Sequence, residues 1–467
     1  MERRNFSRYG TASRAGSAFA IAAGLMASQA AIAVDGDVDL TFGDNGIATA
    51  GVTDANFELP PKPVVQPDGR ILICSMLETG GPSGSDMLIA RFNADGTPDM
   101  TFSFDGKVTI DFDSRDEGCN ALALQDDGKI VAIGTSTDEV TTNADFAAAR
   151  LDSDGALDET FGAGSGEVLI PFDVDGGLDD TAGAVAMQAD GKIVIAGWVI
   201  SGSDNYDFGV TRLMPDGTRD TTFNSTGRVT IAFDFPGSSN GDQGDSVFID
   251  DSGRIVVGGI AQSTSNSSDF ALARLLPNGQ LDHSFDADGR ATIGFDIGDT
   301  DSDLSYQAIQ THDGKIVMVG AADTGSGATN NDIAVARVLQ DGSPDPSFGI
   351  GGKVVVPFDI VTNGGDVGTG LVEDSAGRIV VAGVGFDASS TNGNAVALRL
   401  LSDGALDQSF GSFGKKIYDF DGDRVLFTGI TLQGTQLIAC GLRSTGGEAD
   451  DFVVRLDVDL IFANGFE

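Results

Sequence analysis

Apolar residues in this chain come in short runs bounded by Gly and Asp, and no stretch keeps a 3.6-residue apolar period for three turns. Such runs predict β-strands, and the missing helical period predicts almost no helix. The runs also repeat at a longer scale. A segment of the type Gly-Lys/Arg-Ile-Val-x-x-Gly recurs with its first apolar residue at Ile71, Ile130, Ile193, Ile255, Ile316, Ile379 and Leu437, in steps of 58 to 63 residues. Some 20 residues after each comes Arg-Leu-x-x-Asp-Gly-x-x-Asp-x-Ser/Thr-Phe, whose Arg is Arg91, Arg150, Arg212, Arg274, Arg337, Arg399 and Arg455, the last copy cut short. Seven copies of about 61 residues fill most of the chain after residue 33. A count of domains at ~150 residues each therefore fails, and residues 34–456 read as one repeat array.

Each copy predicts four strands. In the second they are Asn120 to Leu124, Lys129 to Gly134, Phe146 to Leu151 and Glu167 to Phe172, with turns at Asp126-Asp127-Gly128 and Asp154-Gly155. Four strands per unit, repeated seven times, predict an all-β chain folded as a seven-bladed β-propeller of four-stranded blades. A β-helix is the other reading, but its rungs are usually shorter and it requires no fixed copy number. The chain ends favour a ring. An orphan half-unit at Val38 to Gly43 leads into a strand at 46–52, and the last copy stops after its third strand at Phe452 to Leu456. The N-terminal strand is expected to complete the last blade, which hides two sheet edges at once.

At these residues the chain resembles the delta-60 repeat proteins, marked by D-G-K-I-x-x-x-G followed by R-x-x-x-D-G-x-x-D-x-x-F-G. Asp127-Gly128-Lys129-Ile130 and Arg150 through Gly162 carry both motifs, and the resemblance spans roughly 38–456. It implies a bacterial, often secreted β-propeller and no common activity. Two copies depart from the pattern. The first opens on Pro60-Pro61-Lys62-Pro63, poor material for a strand except at a sheet edge, and the seventh has Gln433-Gly434-Thr435-Gln436 in place of the D-G-K turn.

Composition narrows the function. Asp and Glu number 70 against 28 Lys and Arg, a net charge of −42, while 41% hydrophobic content supports a real core. That charge argues against nucleic acid and anionic lipid as partners. The first 33 residues differ from the rest. Arg3, Arg4, Arg8 and Arg14 precede an apolar run at Ala18 to Ala27 and a small-x-small site at Ala31-Ile32-Ala33, the order of a cleaved signal peptide. Export is thus expected, without membrane insertion. Arg3-Arg4-Asn5-Phe6 resembles a twin-arginine motif, but Glu2 stands where Ser or Thr is usual, so general secretion is favoured. Residues 457–467 read as a C-terminal tail.

Three Cys make no disulfide framework. Cys74 and Cys440 hold one repeat slot in blades expected to be neighbours. Equivalent points on adjacent blades lie roughly 10 Å apart, beyond the ~7 Å limit for a bridge, so buried free thiols are expected, Cys119 included.

The repeated acids carry the remaining chemistry. Asp39, Asp99, Asp158, Asp220, Asp282, Asp345 and Asp407 each stand two before Ser or Thr and three before Phe. The position two before the Asp-Gly or Asn-Gly that precedes each (Asn93, Asp152, Met214, Leu276, Leu339 and Leu401) rarely supplies an oxygen, so an Asx turn fits better than a calcium loop. The seven Arg are expected to pair with these carboxylates, and each Phe to plug between sheets. His283 and His312 occupy turn positions with no nucleophile beside them, and no phosphate loop or Cys/His metal cluster is present. The loops after second and fourth strands differ between copies and are acidic. Asp116, Asp179, Asp245, Asp303 and Asp366 are the candidate metal ligands there, ringing the channel mouth, with calcium the one cofactor suggested. The expected function is an exported, monomeric, non-enzymatic binding or scaffold propeller, its variable acidic face meeting a protein or small ligand. The alternative is an enzyme with a carboxylate site at the channel mouth, acting for example on a polysaccharide.

Overall fold

The structure is a computed structural model. It describes residues 35–458 apart from 52–61, 80–83, 114, 139, 173–178, 202–204, 234, 236–240, 265–266, 299–301, 326–330, 359, 361–363, 387–392, 421 and 446–447. The signal peptide read at 1–33 and the tail beyond Val458 lie outside the described residues, as do Pro60 and Pro61.

The described residues from Asp35 to Val458 make one compact unit. It is a seven-bladed β-propeller of four-stranded antiparallel blades, numbered here in chain order over 64–110, 116–170, 180–231, 243–293, 303–356, 366–417 and 424–456. Within a blade the strands run inner, second, third and outer. The seventh blade takes its outer strand from the N-terminus: Ile47 pairs with Val454, Ala48 with Val453 and Thr49 with Phe452. The approach to that strand is also fastened, since Arg399 binds Asp35 at 2.6 Å and Tyr418 Oη donates to Gly36 O at 2.8 Å. Among the described residues the helical content is one 3₁₀ turn at Gly162–Gly164. No helix there is long and apolar enough to cross a membrane.

Buried apolar residues fall into seven clusters, one at each junction between blades. Cys74, Ile89 and Phe102 of blade 1 pack on Leu122, Ile130 and Ala147 of blade 2, and so on round to Ile438 and Val453 of blade 7 against Ile71 and Leu88 of blade 1. A blade buries its faces only against its neighbours, so closure completes the core.

The inner strands carry a β-bulge in six blades, skipping Asn120, Gly183, Asp245, Tyr306, Thr369 and Thr428 in the pairing. The bulge explains the Gly that ends the Ile-Val-x-x-Gly motif. A Cβ on Gly134 would meet Gly118 O at 1.8 Å, and one on Gly320 would meet Leu304 O at 1.7 Å. Blade 1 has Ser75 in this position, and its inner strand is reduced to Val64–Val65, with no described carbonyl to clash. Of the prolines expected to spoil that strand, Pro63 alone lies among the described residues, directly before Val64.

The cysteines overturn one expectation. Cys74 is bonded to Cys119, with Cα atoms 5.6 Å apart, and Cys440 is the buried free thiol. Cys74 lies on the second strand of blade 1, while Cys119 lies on the facing inner strand of blade 2, so the two do not hold equivalent slots. Non-equivalent slots on packed sheets can sit well inside bridging distance.

Candidate functional site

The seven repeat arginines form seven latches. Arg91–Asp99 at 2.7 Å, Arg150–Asp158 at 2.9 Å and Arg337–Asp345 at 2.8 Å are typical, and Arg455 closes the set on Asp39 at 2.6 Å. The other oxygen of each Asp caps its own turn: Asp99 Oδ1 accepts the Thr101 N–H at 3.0 Å and its Oγ at 2.6 Å. The Asx reading therefore holds. Each Arg lies over the following Phe, 4.4 Å for Arg91 over Phe102 and for Arg337 over Phe348. Its guanidinium then crosses to the next blade, Arg337 Nη1 donating to Ser402 O at 2.7 Å. The Lys or Arg of the D-G-K turn joins the same carboxylate, as Lys129 does with Asp158 at 3.0 Å. In blade 7, where that turn is missing, Gln436 reaches Asp39 at 3.5 Å instead. These acids and bases are committed to the fold.

The five candidate metal ligands sit apart, in successive blades. Asp303 and Asp366 are buried, each accepting a backbone N–H from the preceding blade: Phe295 to Asp303 at 2.6 Å and Phe358 to Asp366 at 2.6 Å. Asp180 and Asp242 do the same for Phe172 and Phe233, both at 2.7 Å. Burial raises the Asp303 carboxyl to about 7, helped by Asp269 and Asp296. Asp116 is half-buried and accepts the Ser85 N–H at 3.0 Å, while Asp179 lies 3.4 Å from the Ala144 N–H.

Asp245 alone of the five is a bulge residue, and its charge acts on Lys62. Lys62 lines a cavity of about 570 Å³ in the central channel, together with Gln307, Gln310, Thr311, His312 and Glu373, with Ile309, Leu371, Val372 and Ile430 among its apolar walls. A second cavity of about 440 Å³ shares Lys62, Gln307, Ile309 and Gln310. Lys62 lies beside the truncated inner strand of blade 1. Burial lowers its pKa to about 8, opposed by the charge of Asp245. Burial also raises Asp245 to about 7, opposed by Lys62. The phenol of Tyr306, the bulge residue of the next blade, is shifted up by burial and by Asp245. At the rim the exposed His312 meets Glu373 of the next blade, Nδ1 to Oε2 at 2.7 Å.

This arrangement can hold a small polar molecule between an amine, a carboxyl and amides. It opens among the short uniform turns, at Asp251, Thr311 and His312, whereas the variable loops end the other face and lie partly outside the described residues. Sequence reading missed Lys62 and the rim pair. The available signals were the Pro-rich setting of Lys62, unsuited to an ordinary strand, and the chemically diverse residues in the bulge slot.

Six stretches, 66–102, 125–161, 188–223, 251–285, 312–348 and 377–410, match the family described as domain of unknown function (DUF5122) beta-propeller. The chain is thus a β-propeller repeat protein. No curated protein matches its sequence. Among solved structures, it is similar to the β-propeller domain of the Trilobed protease from Pyrococcus furiosus, at 12% identity and a TM-score of 0.43, covering 89% of this chain and 99% of that one. An α-L-arabinofuranosidase from Fusarium graminearum matches at 10% identity and 0.42, covering 87% and 97%. A Trypanosoma rangeli sialidase mutant displaying trans-sialidase activity matches at 9% and 0.42, covering 91% and 59%.

Proposed function

We propose that this is an exported, non-enzymatic binding propeller of the delta-60 kind, and that the central channel is its ligand cavity. The observation that carries the reading is that cavity. Its volume of about 570 Å³ suits a ligand of sugar or amino-acid size, and its wall combines an amine, carboxyls, amides and hydroxyls with apolar residues. The repeat carboxylates, by contrast, are occupied by turns and blade junctions. Export is supported by the N-terminal charge and apolar pattern, and the Cys74–Cys119 bridge suits an oxidising compartment. The variable acidic face remains the surface for a larger partner.

The test is a thermal-shift screen of monosaccharides, amino acids and small organic acids on wild type and Lys62→Met. A ligand that raises the melting temperature of wild type but not of Lys62→Met supports the channel. Shifts equal in both variants place binding elsewhere.

One observation favours the enzyme alternative. A buried carboxyl with its pKa raised to about 7, as Asp245 has in the field of the cavity-lining Lys62, is poised as a general acid. That reading requires hydrolysis of chromogenic glycosides or polysaccharides, abolished by Asp245→Asn. No turnover by wild type across such a panel would leave binding as the function.

A further inference from the structure

The blade junctions share one arrangement on the side of the variable loops. The first residue of an outer strand carries a cation to the preceding blade, where it donates to the carbonyl just before the exit Phe or its equivalent. Lys107 Nζ donates to Gly51 O at 3.3 Å and Arg290 Nη1 to Ala232 O at 2.5 Å, and Arg228, Lys353 and Lys415 reach Pro171, Gly294 and Pro357 in the same way. Three of these cations also lie over the exit Phe, Arg228 over Phe172 at 5.6 Å, Lys353 over Phe295 at 5.7 Å and Lys415 over Phe358 at 5.5 Å. They bring positive charge to a place where buried carboxylates gather. Blade 7 opens its outer strand on Ile47 instead.

Between blades 1 and 2 the sign inverts. The outer strand of blade 2 opens on Glu167, paired with Ala149 as Lys353 is with Ala336. The residue before the exit Phe112 is Asp111, where four other junctions have Pro171, Ala232, Gly294 and Pro357; blade 6 also has an acid there, Asp419, but its junction lacks the outer-strand Glu. Carboxylate oxygens of Asp86, Asp111 and Glu117 lie within 4.8 Å of one another. Two oxygens bound to one calcium ion at about 2.4 Å are separated by at most about 4.8 Å, so the set is compact enough to share an ion.

A second observation comes from Glu117 itself. Its side chain is completely buried, Oε1 accepts from Ser136 Oγ at 2.8 Å, the Phe112 N–H also stabilises the carboxylate, and Oε2 has no partner within hydrogen-bond geometry. A buried carboxylate oxygen left unpaired is costly unless something positive meets it. The charges of Asp111 and Asp86 act on Glu117, and those of Asp113 and Asp111 on Glu167, so the junction is a local concentration of negative charge. Asp111 is exposed and gives the site an entrance from solvent.

We propose that a calcium ion binds at the junction of blades 1 and 2, held by Asp86, Asp111 and Glu117, in the role that Lys or Arg fills at five other junctions. Glu167 and Asp113 deepen the negative field without being required as ligands. Oxygen-only ligands of irregular placement, with room for water at Asp111, suit calcium better than the strict octahedron of magnesium. The Glu at 117 then has a reason: it stands where the next four blades carry Asp180, Asp242, Asp303 and Asp366, and its extra methylene lets one oxygen reach past the Ser136 contact.

The test uses the full chain melted in calcium chloride or in EDTA at equal ionic strength, beside Glu167→Lys and Asp111→Asn. Wild type is expected to melt a few degrees higher with calcium, by mass action on the native form. Glu167→Lys restores the cation of the other blades, so it should melt alike in both buffers and close to calcium-loaded wild type. Asp111→Asn alters an exposed ligand, keeps the fold and should lose most of the calcium shift. Identical wild-type melts in the two buffers would overturn the proposal. So would an undiminished shift in both variants, which would assign the effect to the acidic surface at large.

Discussion

A single residue here often serves two blades. Arg337 pairs with Asp345, lies over Phe348 and donates to Ser402 O in the next blade. Arg337→Ala should therefore cost about 2–3 kcal/mol, because it leaves the buried Asp345 carboxylate with Lys315 as its one cation and the Ser402 carbonyl without its donor. An exposed arginine such as Arg424 should cost under about 0.5 kcal/mol on the same substitution. Urea denaturation of both variants measures the contrast. The latches were legible in the sequence, since Arg and Asp recur at fixed spacing in every copy and repetition marks structure. The cystine was not, because Cys74 and Cys119 hold different repeat slots and no spacing brings them together. Their bridge closes a sequence separation of 45 residues, worth about 4 kcal/mol in chain entropy. Reduction by dithiothreitol, or Cys119→Ser, should lower the melting temperature, and an unchanged melt would show that the bridge does not form.

At the scale of elements, the repeat motif is a solution to one steric problem. The inner-strand bulge pushes a carbonyl against the second strand, and only Gly leaves room for it. Gly320→Ala places a methyl 1.7 Å from Leu304 O, so the bulge must shift, at a cost of about 3 kcal/mol. Urea unfolding would show it as a lower midpoint with an unchanged slope. The element pattern also explains what could be read in advance. Strand number, turn chemistry and ring closure follow from apolar runs and from the two half-units at the chain ends. The channel does not, because its character depends on which side chain each bulge presents, and that slot varies from Asn120 to Asp245 to Tyr306. The calcium junction had a readable signal in Glu167, which stands among Lys107, Arg228, Arg290, Lys353 and Lys415 at the start of the outer strands. Closure is testable at this scale too. Deleting residues 34–53 removes Ile47–Thr49 and the contact of Asp35 with Arg399, exposing the edge of blade 7. The truncated chain should aggregate or melt far below the intact one.

Over the whole molecule the acids divide into two groups with opposite effects on stability. In the latch aspartates burial alone would raise the pKa. Hydrogen bonds from the neighbouring Ser or Thr and the charge and hydrogen bond of Arg outweigh it, holding Asp99, Asp220, Asp282 and Asp407 low and Asp345 at about 2. Their contribution is present above the ordinary carboxyl pKa of 3.8 and is lost as pH falls through the folded value. Asp245, Asp303 and Asp451 are raised to about 7, each mainly by burial. They favour the folded state fully below 3.8, and that advantage disappears as pH rises toward 7. The net charge of −42 adds self-repulsion in the same direction as the carboxyls ionise. Stability should therefore peak between about pH 4 and 5 and decline on both sides, by a few kcal/mol toward pH 7.5. Urea midpoints at pH 3, 4.5, 6 and 7.5 in constant salt measure it. Asp303→Asn removes one ionisable group while keeping an oxygen for the Phe295 N–H, so it should flatten the decline between pH 4.5 and 7.5. A wild type most stable at pH 7.5 would mean that these buried carboxyls stay charged, and that cations in the channel and at the junctions balance them.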